Sequence, residues 1–209
     1  MNIEAEVSII PQQIKAPSDI YVENFIKALY GLFTNTNVSV IKPNGTEDTF
    51  YAYEYWKCYY EYSRDAYLKY SVFYANAGEG DDTFGIIVGA STEEEKMDNY
   101  NLIAKYPHGT DVNQVYYGSS TIEDLGYDEE NKRHVIRVRR WFENRGTSDI
   151  VINEVGLIVK NYVYMRDAHC GLHIDKGITF LITRTVLPTS FTLPVGRMCE
   201  VNQYIYLYF

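Results

Sequence analysis

From Asn37 to the C-terminus the chain repeats one texture: short segments of alternating apolar and polar residues, separated by turn residues at fairly even spacing. "VSVI" runs into the turn "KPNG" and then into Thr46 to Tyr55, a hairpin pattern. "FGIIVGAS" reads as a short buried strand. "HVIRVRRWFEN", "DIVINEVGLIV", "ITFLITRTVL", "TSFTL" and "CEVNQYIYLYF" follow, with "NRGTS" and "PVG" as turns. A period of two sends successive side chains to opposite faces of a sheet. Many such segments and few helices predict an all-β fold, an antiparallel β-sandwich of jelly-roll-like kind. Of 209 residues 21 are tyrosine, a side chain that suits a pleated, half-buried surface.

One stretch has a helical period instead. In "SDIYVENFIKALYGLF", Val22, Phe25, Ile26, Leu29 and Phe33 follow helical spacing, Ser18 is placed to cap the first turn, and Gly31 to Asn35 supply the stop. Residues 1–17, with Pro11 and Pro17, read as an extended arm. The expected organisation is an arm and helix over 1–36 and a sandwich domain over 37–209. "STEEEKMDNYNLIAKY" has irregular apolar spacing and reads as a loop.

A formal net charge of −9 opposes nucleic acid as a partner, because phosphate backbones are bound by clustered Lys and Arg. The basic run Lys132 to Arg140 alternates like a strand, with Ile136, Val138 and Phe142 against Val135, Arg137, Arg139 and Trp141. Its charges divide between two faces and are expected to meet nearby acidic stretches. No segment approaches the ~20 apolar residues of a membrane span, and "MNIEAEVSIIPQQ" lacks the charged and apolar regions of a signal peptide. The chain is therefore expected to be soluble in the cytoplasm where it is made, with no membrane partner. Cys58, Cys170 and Cys199 are odd in number and widely spaced, which suits reduced thiols.

The sharpest metal signal is "HCGLH", where His169, Cys170 and His173 lie near Asp167 and Asp175. The spacing matches no zinc signature, and a hairpin loop with incidental polar residues is the simpler reading. "GEGDDTFG" offers hard oxygen ligands on a glycine-containing loop but not the EF-hand length. No nucleophile elbow or Cys/His signature is present, and His108 in "YPHGT" reads as a turn residue. No cofactor and no catalytic residue are expected.

"YAYEYWKCYYEY", residues 51–62, is the most aromatic stretch. Tyr51, Tyr53 and Tyr55 alternate with Ala52 and Glu54, and Tyr60 and Tyr62 flank Glu61, as in a long strand or strand pair with one aromatic face. With Trp56 and Tyr59 such a face suits contact between subunits. Stacking on sugar rings by Tyr55, Trp56, Tyr59 and Tyr60, and burial in the chain's own core, are the alternatives.

Taken together, "NFIKALYGLF", "GEGDDTFGIIVGAS", "MDNYNLIAKYPHGT", "QVYYG", "RRWFENRGTSDIVINEVGLIV" and "ITFLITRTVLPTSFTLPVG" resemble a group of virion structural proteins of tailed double-stranded DNA viruses and proviruses. Bacteriophage tail-collar fibre proteins have a run related to "NEVGL". The resemblance covers most of the chain in pieces, and its motifs are structural. It implies a non-enzymatic virion protein that forms a symmetric oligomer in the tail, baseplate or fibre attachment, or else decorates the capsid surface. Its partners would be copies of itself and neighbouring virion proteins, with host surface glycan as a further one. The helix around Phe25, Leu29 and Phe33 is a candidate docking element. Gly156 is expected to let a backbone or ring approach its strand, and Glu154, on the same face, to pair with Arg137, Arg139 or Arg140. Against the family pattern, residues 52–74 read as an inserted tyrosine-rich segment and 161–177 as a lengthened loop.

Overall fold

The computed structural model describes residues 2–11, 14–18, 20–34, 36–52, 67–167 and 172–208. Tyr53, Tyr55, Trp56, Tyr59, Tyr60, Tyr62, His169 and Cys170 lie outside them; His173 is described for its main chain only. Among the described residues the fold is all-β with one helix, and every strand pairing is antiparallel.

Sheet A is five-stranded, in the order β2 (Ile14–Ser18), β1 (Asn2–Ile10), β12 (Met198–Tyr208), β9 (Arg133–Glu143), β8 (Tyr116–Asp128). The arm expected over 1–17 is thus two strands, with β1 paired along its length to β12 from Asn2↔Tyr208 to Ile10↔Glu200. Sheet B runs β3 (Ile20–Tyr21), β11 (Leu172–Leu193), β10 (Ile150–Asp167), β6 (Tyr67–Tyr74). β7 (Gly85–Gly89) pairs with β10 over Glu154 to Ile158, and β6 takes the same edge further along. β4 (Val38–Ile41) and β5 (Glu47–Phe50) form the expected hairpin, closed through Gly45 at φ +80°. One apolar cluster joins the sheets, with Val7, Ile9, Val138, Phe142 and Val201 from sheet A and Ile86, Val88, Leu157, Phe180 and Leu181 from sheet B. Two antiparallel sheets around one core are the expected sandwich; their strand order does not itself define a jelly roll.

β10 explains the unbroken apolar run in "NEVGLIV". It is buried from Ile152 through Val159, because sheet A covers one face and other elements cover the second. The loop over 91–105, which forms as expected, lies on β10, with Leu102 against Gly156, while α1 (Glu23–Thr34) and the β4–β5 hairpin pack on the adjacent β11. Phe50 meets the Phe180 ring edge-on at 5.6 Å, and Phe25 stacks on Tyr21 at 4.6 Å and packs against Phe73 at 5.8 Å.

Two local expectations are corrected. The helix begins at Glu23, so Ser18 belongs to β2; the first amide, Glu23 N–H, donates instead to the Met97 carbonyl at 2.8 Å. The stretch 161–177 is mostly strand, because β10 and β11 continue as a pair to Asp167↔Leu172. In β9 the charges divide between two faces as expected: Arg140 joins Val138 and Phe142 on the buried face, while Arg137, Arg139 and Trp141 are half-buried on the other.

Candidate functional site

The motif residues converge on two buried arginines. Glu154 and Arg184 are both 0 % exposed and form an ion pair, Arg184 Nε to Glu154 Oε2, at 2.8 Å. Glu154 also accepts from the amides of Ala104 (2.8 Å), Ile103 (3.2 Å) and Ser91 (3.4 Å). Arg184 donates three further N–H groups to the Glu93 and Glu94 carbonyls and to Asn99 Oδ1, at 2.9, 3.1 and 3.1 Å. Two buried charges are tolerated because each is paired and hydrogen-bonded. The pair ties the 91–105 loop to β10 and β11.

Small residues make room for it. A β-carbon on Gly89 would stand 2.6 Å from Glu154 Oε1 and from the Ala104 carbonyl; one on Gly156 would stand 2.9 Å from Leu102. The close approach at Gly156 is made by the aliphatic side chains of Leu102 and Leu181, where a backbone or a ring was expected. The partner of Glu154 is corrected: it is Arg184 on the adjacent β11, where Val186 pairs with Glu154, whereas Arg137, Arg139 and Arg140 belong to sheet A.

The second arginine, Arg140, is 1 % exposed and places all five N–H donors on main-chain carbonyls. Nε reaches Gly118 (2.7 Å), Nη1 reaches Phe84 and Ile86 (3.0 and 3.1 Å), and Nη2 reaches Gly78 and Asp81 (3.2 and 2.5 Å). Burial pulls its pKa down to about 10; a guanidinium that uses every donor still carries its proton at neutral pH. Arg140 thereby holds the "AGEGDDTFG" loop against sheet A. The loop's carboxylates are engaged as well: Asp81 caps Thr83, and Asp82 binds Lys105 at 3.5 Å and the His108 amide at 2.8 Å. His108, expected as a turn residue, instead bridges to Val115, and its Nδ1 accepts from the Tyr117 amide at 3.2 Å. Among the described residues, no group of three or more His, Cys, Asp or Glu could hold a metal ion.

The candidate interface residues fall in different places. Phe25 is core, Leu29 packs partly buried against it, and Phe33 is 77 % exposed. Phe25 is therefore withdrawn as a docking residue. The outward face of α1 instead carries Ile26, Tyr30 and Phe33, which are 51, 63 and 77 % exposed at a spacing of i, i+4, i+7. Tyr51 is half-buried, and Asn161 clamps its main chain, accepting from its N–H at 2.9 Å and donating to its carbonyl at 3.1 Å. Arg137 and Arg139 meet Glu123, as the charge pattern implied. Cys199 is buried, and desolvation pushes its thiol up to about 12. No helix among the described residues is long and apolar enough to cross a membrane.

Sequence reasoning missed Arg184, the inward turn of Arg140 and the pairing of Ile26 with Tyr30. "ITRTVL" offered Arg184 as one more alternating residue, and only a second charge on the adjacent strand gives it meaning. No protein-family model, curated protein or solved structure matches the chain.

Proposed function

We propose that the protein is a non-enzymatic structural component of a tailed-virus particle that assembles as a symmetric oligomer, in the tail, baseplate or fibre attachment. The observation that carries this reading is the outward Ile26, Tyr30, Phe33 stripe of α1. A helix already anchored through Phe25 and Ala28 gains nothing within the monomer from a second apolar face. Two rings of about 200 Å2 each, 63 and 77 % exposed and met by the same stripe on a second copy, supply roughly half of the ~1,200 Å2 of a specific interface. Met97, 57 % exposed, is joined through its carbonyl to the first turn of α1.

The motif resemblance supports the structural part of the reading. Its segments supply Asp81, Gly89, Leu102, Gly118, Arg140, Glu154, Gly156 and Arg184, residues that lock loops onto sheets. Tail or fibre attachment is favoured by the likeness to tail-collar fibre proteins; capsid-surface decoration is its rival. The test is molar mass by size-exclusion chromatography with light scattering over a range of concentrations. A closed oligomer that falls to monomer in Phe33→Asp, with the melting temperature kept, supports the reading. A wild-type monomer at every concentration overturns it.

A further inference from the structure

The face of sheet A turned away from the core carries a second feature, independent of α1. Across a bulge, β8 sets two residues, Gly118 and Ser119, against the single Trp141 of β9, where the pairing passes from Tyr117↔Phe142 to Ser120↔Arg140. A β-carbon on Gly118 would stand 2.0 Å from indole Cε2. Only glycine lets the indole lie against the main chain there.

The neighbours hold this platform in place. The Tyr116 ring lies beside the indole, centroids 5.8 Å apart and planes 25° from parallel. Tyr116 is itself fixed by its hydroxyl, which donates to Glu79 at 2.5 Å, and by the Arg145 guanidinium 3.4 Å over its ring. Trp141 lines an open cleft of about 300 Å3 with Ser119, Thr121, Arg139 and Glu200. Arg139 Nε is held by Thr121 Oγ1 at 2.8 Å and Glu123 at 2.9 Å. Arg139 Nη1 and Glu200 Oε2 form a loose ion pair 4.0 Å apart, beyond hydrogen-bond reach, so a donor and an acceptor sit side by side in the cleft that Trp141 lines. Asn202, fully buried next to them on β12, donates to Glu200 Oε1 at 3.1 Å, and its own Oδ1 has no partner among the described residues.

We propose that this cleft binds a sugar ring of a glycan. A pyranose has an apolar C–H face that matches the accessible part of the half-buried indole, and a rim of hydroxyls that both donate and accept, as Arg139, Glu200, Thr121 and Ser119 require. A nucleobase would also stack, but it brings phosphates to a chain of net charge −9 and to the Glu200 carboxylate. The stacking residue is Trp141, on a rigid strand.

The experiment is a printed array of oligosaccharides of glucose, galactose, N-acetylglucosamine and sialic acid, followed by calorimetric titration with the best binder. Wild type, Trp141→Ala, Trp141→Phe, Glu200→Gln and Trp56→Ala are compared, with melting temperatures as the check on folding. Saturable binding is expected for wild type and Trp56→Ala. Trp141→Ala loses roughly tenfold or more in affinity, the weight of one aromatic stacking contact. Trp141→Phe falls between, and Glu200→Gln, which keeps the indole in place, weakens binding severalfold. A flat array, undiminished binding by Trp141→Ala, loss in Trp56→Ala instead, or binding of the oligonucleotide dT10 in place of sugars overturns the proposal.

Discussion

Glu154 and Arg184 form a closed electrostatic unit, since each uses the other and the 91–105 main chain in place of water. Glu154→Gln keeps the shape and removes the charge, so Arg184 would be left buried without its counter-ion. Such a break costs about 3–5 kcal/mol. By contrast Lys27→Ala removes an exposed pair with Glu23, 3.0 Å apart within one helix, and is expected to cost less than ~0.5 kcal/mol. Urea unfolding of the two variants beside the wild type measures the contrast; equal effects would mean that the buried pair contributes no more than a surface one.

α1 separates two kinds of hydrophobic residue that a helical plot places close together. Phe25 lies between Tyr21 and Phe73 in the core, whereas Phe33 stands in solvent two turns later. Phe25→Ala should therefore cost about 3–5 kcal/mol, as large-to-small core changes do. Phe33→Ser should leave monomer stability within ~0.5 kcal/mol, and unfolding at a concentration too low for association tests both. The reverse order would place the core on the wrong face of the helix. The β10–β11 pair makes a similar point about strands: its length comes from continuous pairing to Asp167↔Leu172, although "HCGLH" reads as a loop.

Stability of the whole molecule should depend on pH more steeply in alkali than in acid. Burial raises the Cys199 thiol from 9.0 to about 12 and the Tyr206 hydroxyl from 10.0 to about 12, and it also raises Tyr117 and Tyr21, the latter with help from Glu4. The folded state favours the neutral form of each. Their contribution is complete below pH ~9 and is lost as pH rises through the folded values. Arg140 acts in the opposite sense, since its burial penalty would lessen above pH ~10. In acid, Glu123, Asp124, Asp128 and Asp48 are held below their ordinary values by hydrogen bonds, the first named to Arg137, so their stabilisation is lost as pH falls through those lowered values. These groups are at the surface, where ion pairs contribute little. Melting temperatures should be level from about pH 5 to 9 and fall sharply above pH 10, with a shallower alkaline limb in Tyr206→Phe. An unchanged limb in that variant would remove Tyr206 from the account.

Local pattern determined much of this protein without any structure: period-two segments gave the antiparallel sheets, "KPNG" and "PVG" the turns, irregular spacing the 91–105 loop, and helical spacing the single helix. These features depend on neighbours in sequence, which the chain itself displays. The partner of Glu154, the burial of Arg140, the strands hidden in the N-terminal arm and the ring laid on Gly118 were decided by contacts between residues about 20 to 200 positions apart. Alternation says that a side chain points to one face of a sheet, but not which face is covered or by what. A buried charge and an exposed ring look alike in one strand, and only packing of the second layer tells them apart.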